Sequence, residues 1–125
     1  TATERAHVLQ WLMFQMGGLG PMLGQLGFFY KFAGSEWEDK RPQDRYIAEA
    51  KRLLAVLEKE LTGKQWIAGE YSIADIAIAP WLRALDFYGA KAAVGWADHP
   101  NLVAYVKRFE ARPAVKKGLV TPARD

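Results

Sequence analysis

The chain has 125 residues, 50% hydrophobic and 25% charged, which is the composition of a single globular domain spanning residues 1–125. It contains no cysteine and only two histidines, His7 and His99, so a disulfide framework, a cysteine zinc site and a thiol nucleophile are excluded. The net charge is +3, and its basic residues are dispersed rather than gathered into a stripe, which argues against nucleic acid as a partner.

Strand alternation and hairpin dipeptides are missing, whereas helical periodicity recurs, so the fold class is all-α. The first helix is expected over Glu4 to Phe32, with Leu9, Met13, Met16, Leu23, Leu26 and Tyr30 facing inward. Its stretch from Ala6 to Tyr30 carries no charged residue and approaches the length of a membrane span. Gln10, Gln15, Gln25 and Pro21 interrupt it, and the flanking Arg5 and Lys31 give no orientation bias. It therefore reads as a buried helix of a soluble domain with no membrane partner. Pro21 crowds the carbonyl of Gly17 and predicts a kink. Gly17, Gly20, Gly24 and Gly27 fall on one helix face. Mid-helix glycine costs about 1 kcal/mol relative to alanine. The face implies a close approach, either by another helix of the domain or by a partner subunit or ligand.

A polar loop over Ala33 to Arg41 leads to a second helix from Pro42, with Tyr46, Ala50, Leu53, Leu54, Leu57 and Leu61 inward and Gly63 beyond its end. Ser72 and Asp75 open a third helix as a capping box, flanked by Tyr71 and Ile76 as a hydrophobic staple. This helix reaches Tyr88, with Pro80 inside and Gly89 closing it. A fourth helix spans Pro100 to Arg112, and Pro113 starts a short terminal turn ended by Gly118. The expected architecture is a helical bundle of four main helices plus this C-terminal turn.

Candidate chemistry is sparse. Glu36, Glu38 and Asp39 fall in a polar loop and read as a solvated cluster, and Asp75 is accounted for by the cap. Neither histidine has a spaced metal partner, so no metal is expected. The glycines follow no strand and lack the ending of a phosphate loop. Trp11, Phe14, Phe28, Phe29 and Phe32 suit a core first and an apolar substrate pocket second. Arg45 differs in kind: a cation in the first turn opposes the helix dipole, and beside inward-facing Tyr46 it is placed to grip a carboxylate with its fork. A pair with Asp44 or a plain surface charge is the other reading.

The segment GEYSIADIAIAPW at 69–81 resembles the capping-box motif of the glutathione transferase C-terminal domain. LQWLMFQMGGLGPMLGQ at 9–25, Asp44-Arg-Tyr46 and Arg112-Pro-Ala-Val115 are similar to the nu class and the fungal nitrogen-regulator prion protein. The resemblance covers Glu4 to Gly118 and implies the C-terminal half of a homodimeric cytoplasmic enzyme. Its thioredoxin-like N-terminal domain, absent from this sequence, would bind the co-substrate glutathione and carry the activating residue. It implies transferase, disulfide-reductase or peroxidase activity on small hydrophobic, disulfide or peroxide substrates, with the isolated chain inactive. Arg45 would then reach glutathione, Trp11, Gln15 and Gly18 would face the cleft, and Ser72 and Asp75 would serve folding. The same fold is also used as a stand-alone, non-catalytic assembly module, which is the alternative for a chain beginning at Thr1.

Overall fold

A computed structural model describes residues 1–124 as a helical bundle. α1 (Ala2–Phe14) runs through a π-helical turn (Gln15–Leu19) directly into α2 (Gly20–Tyr30). A 3₁₀ turn (Ala33–Glu36) leads to α3 (Arg41–Glu60), the longest helix, followed by α4 (Ile73–Tyr88). A second 3₁₀ turn (Trp96–Asp98) precedes α5 (Pro100–Glu110) and α6 (Pro113–Leu119), so the expected terminal turn is a short helix.

The interruption at Pro21 takes the form of the π turn. The Gly20 amide donates five residues back to the Gln15 carbonyl, and Pro21, which has no amide hydrogen to give, follows directly as the second residue of α2. One extra residue in the turn rotates the following helix by about 100° relative to regular winding. Trp11, Gln15, Leu19, Leu23 and Leu26 thereby share the buried side. Leu9, Met13 and Met16, expected inside from unbroken periodicity, stand exposed instead.

The glycine face resolves into contacts within the domain. An added Cβ at Gly27 would overlap the Tyr88 ring, and Gly20 and Gly24 lie against Trp81, so α2 packs closely on α4. Gly17 meets nothing within 4 Å, because the π turn has rotated it off that face.

α4 is central, touching both halves of the first helix and α5. Its N-terminus forms the expected capping box: the Asp75 carboxylate accepts from the Ser72 amide at 2.9 Å, and the Ser72 hydroxyl accepts from Ala74 at 3.2 Å. Asp75 is fully buried and also accepts from the Ile67 amide at 3.1 Å and the Tyr105 hydroxyl at 2.7 Å. Burial first, and the neighbouring Asp75 charge second, push the Tyr105 hydroxyl far above its ordinary pKa, so it stays a donor. Gly89 closes the helix in the left-handed conformation at φ 70°, as glycine permits. α5 has no side-chain cap of its own. Glu58 of α3 supplies one, accepting from the Asn101 and Leu102 amides at 2.9 and 2.8 Å. That contact satisfies orphan helix donors and pins α5 to α3. Among the described residues, no helix is long and apolar enough to cross a membrane.

Candidate functional site

Three features stand apart from the core: a charged stripe on α3, the outward face of α1 with its π turn, and an apolar hollow beside α4. α3 begins at Arg41, one residue earlier than expected from Pro42, so Arg45 occupies the second turn, where opposition from the dipole is weaker. Its side chain is 65% exposed, and its acidic neighbour is Glu49 at 3.7 Å, not Asp44. Glu49 is taken mainly by Arg52, whose Nη2 and Nε donate to its two oxygens at 2.6 and 2.9 Å. Arg52 first, and Arg45 more weakly, hold the Glu49 carboxyl below the usual carboxylate range against a smaller opposing effect of burial. Arg45 thus keeps a largely uncommitted cation in solvent beside Tyr46, which stacks on Phe29 with ring centroids 5.6 Å apart.

The first helix divides its residues between two roles. Trp11 and Gln15 are each only 6% exposed and point into the domain, while Gly18 lies half-buried against Leu53 of α3. Trp11 Nε1 is enclosed with no hydrogen-bond partner, an uncommon state for a buried donor. Gln15 and the indole nitrogen of Trp81 both converge on Gly20, which leaves room for them because it lacks a side chain. Outside, Leu9, Met13, Met16 and bare Gly17 form a smooth apolar strip. Gly18 contacts Leu53, eight residues or about 12 Å along α3 from Arg45, so Arg45 and the Trp11–Gln15–Gly18 group do not form one cluster within this chain.

The hollow, about 280 Å³, lies between α4, α5 and α6 and is walled by Tyr71, Ile76, Pro80, Phe109, Val115 and Leu119. The staple residues Tyr71 and Ile76 meet there, and Arg112 lies 3.6 Å over the Tyr71 ring at its edge. Ile73 and Ile76 continue the apolar surface toward solvent. Glu36, Glu38 and Asp39 are exposed, and Asp39 is held by Arg41 at 2.7 Å. His7 is exposed on α1, and His99 precedes α5 without capping it through its side chain. Sequence reasoning missed Arg52 and the outward Met13–Met16 strip. The spacing of Arg45, Glu49 and Arg52 on one helix face was the available signal for the first.

The described residues thus form an all-helical domain with a capped central helix, a glycine-lined contact between α2 and α4, and an exposed arginine on α3. Residues 21–113 match the family described as glutathione S-transferase, C-terminal domain, and the chain belongs to it. It is 40% identical over 124 residues to the disulfide-bond oxidoreductase YfcG of Escherichia coli, covering 94% of this chain and 52% of that protein. It is 58% identical, with a TM-score of 0.96, to a Burkholderia graminis glutathione transferase whose crystal structure holds two glutathione molecules per subunit. That match covers 100% of this chain and 53% of the other. A Pseudomonas putida glutathione transferase with one glutathione disulfide bound per subunit is 54% identical at a TM-score of 0.96, with 98% of this chain and 54% of that one covered. The chain therefore spans about half the length of these relatives.

Proposed function

We propose that this chain is the C-terminal half of a two-domain, cytoplasmic, homodimeric enzyme that uses glutathione, with disulfide reduction as its principal activity. The observation carrying the reading is the likeness of the whole domain, at a TM-score of 0.96, to transferases that hold glutathione or its disulfide. Reducing one disulfide consumes two glutathione thiols: the first attacks a sulfur and expels a thiolate, and the second resolves the mixed disulfide to release glutathione disulfide. A relative that binds two glutathione molecules in one subunit fits that stoichiometry. The first-helix motif supports placement beside the nu class and the nitrogen-regulator prion protein.

In this reading the N-terminal thioredoxin-like domain activates the thiol. Arg45 binds a glutathione carboxylate, and the outward strip of α1 forms an apolar cleft wall. Trp11, Gln15 and Gly18 hold that wall from behind by fixing the π turn. Two exposed apolar surfaces, Leu9–Met13–Met16 and Ile73–Ile76 with the adjoining hollow, support a second domain, because covered faces of this kind are costly to leave in water. The test is the intact mass from the source cell, followed by rates of glutathione-dependent reduction of a small disulfide and of conjugation to an aromatic halide. A mass larger by a small domain and faster disulfide reduction are expected. A mass near 14.1 kDa would instead make this a stand-alone module.

A further inference from the structure

Arg45, Glu49 and Arg52 occupy one outer stripe of α3 at spacings that bring neighbours into contact. A single carboxylate thus faces two guanidinium groups, and it does not divide itself evenly. Arg52 satisfies both oxygens, at 2.6 and 2.9 Å, whereas Arg45 Nη1 stands 3.7 Å from Oε2, outside hydrogen-bond range. Helix direction favours the same choice, because an acid N-terminal to its cation pairs better than the reverse. The Glu49 side chain is 15% exposed beside Arg52, whereas that of Arg45 is 65% exposed.

We infer that Arg52 is a positioning residue for the glutathione site: by occupying Glu49 it prevents that carboxylate from closing on Arg45 and leaves the Arg45 fork open to a carboxylate of glutathione. The inference rests on Arg45 being a glutathione contact. Glu49 is the built-in competitor. It sits one turn away, and a shift of about 1 Å would bring it within hydrogen-bond distance of Arg45. A bidentate partner on its other side holds it back. The stripe then carries one excess positive charge, centred on Arg45.

The experiment measures glutathione disulfide binding to the two-domain protein by calorimetry at low salt, for Arg45→Ala, Arg52→Gln, Glu49→Gln and the Glu49→Gln/Arg52→Gln double variant. Arg52→Gln is expected to weaken binding about 3–5-fold, the scale of one exposed ion pair. Glu49→Gln is expected to tighten it by up to about twofold, since a competing charge is gone. Adding Arg52→Gln to Glu49→Gln should change affinity by less than about 1.5-fold, because no carboxylate remains to be restrained. Equal losses from Arg52→Gln in both backgrounds would overturn the inference, since Arg52 would then act only as a nearby positive charge. Weaker binding by Glu49→Gln, or no effect of Arg52→Gln while Arg45→Ala weakens binding, would overturn it as well. If Arg45→Ala leaves binding unchanged, the reading of Arg45 itself fails.

Discussion

Asp75 and Glu49 are two helix carboxylates that each gather several donors, yet they work in opposite ways. Asp75 is fully buried, and its partners are the Ile67 and Ser72 amides and the Tyr105 hydroxyl, none of them charged. Those donors are fixed by backbone and core packing, so the arrangement has one geometry. Glu49 lies near the surface between two long cationic side chains and pairs through both oxygens with Arg52 but only distantly with Arg45. Complete satisfaction at the first site secures the fold. Incomplete satisfaction at the second leaves a cation free to bind something.

The sharpest way to break this contrast is to remove each acid in turn. Asp75→Ala strands three enclosed donors and should lower stability by about 3–5 kcal/mol. Glu49→Gln should change it by less than about 1 kcal/mol. Urea unfolding of the two variants measures both, and comparable losses would mean that the two carboxylates are not different in kind. The glycines permit a similar pairing on a smaller scale. Gly27→Ala forces a methyl into Tyr88 and should cost about 1–3 kcal/mol. Gly17→Ala meets nothing and should gain up to about 1 kcal/mol from helix propensity. A loss at Gly17 in the two-domain protein would reveal a surface that approaches it closely. Ser72→Ala removes one capping bond and should cost about 1 kcal/mol, with turnover of the folded protein unchanged. Lost turnover at intact stability would move the capping box from folding into function.

The difference between the two regions also sets how much was legible in the sequence. Ser72 and Asp75 announce themselves because a cap is local chemistry at fixed spacing, and α3, α4 and α5 follow from periodicity with clear punctuation by Gly89, Pro100 and Pro113. The Ile67 and Tyr105 donors to Asp75 were not legible, since they arrive from eight and thirty residues away. The π turn was hidden for another reason: Pro21 signals a break but not its form. A one-residue change in register moved Leu9, Met13 and Met16 out of the core and Gly17 off the contact face. Arg45 was picked out by the dipole and by its neighbour Tyr46, but the division of Glu49 between two arginines needed side-chain positions. The hollow against α6 likewise joins residues from three helices that no local pattern links.

The most direct measurement is the dissociation constant of glutathione disulfide from the two-domain protein carrying Arg45→Ala. Loss of a charged hydrogen bond is expected to raise it roughly tenfold or more, corresponding to about 1.5–3 kcal/mol, with the fold intact. An unchanged constant would contradict the assignment of this domain's exposed arginine to glutathione.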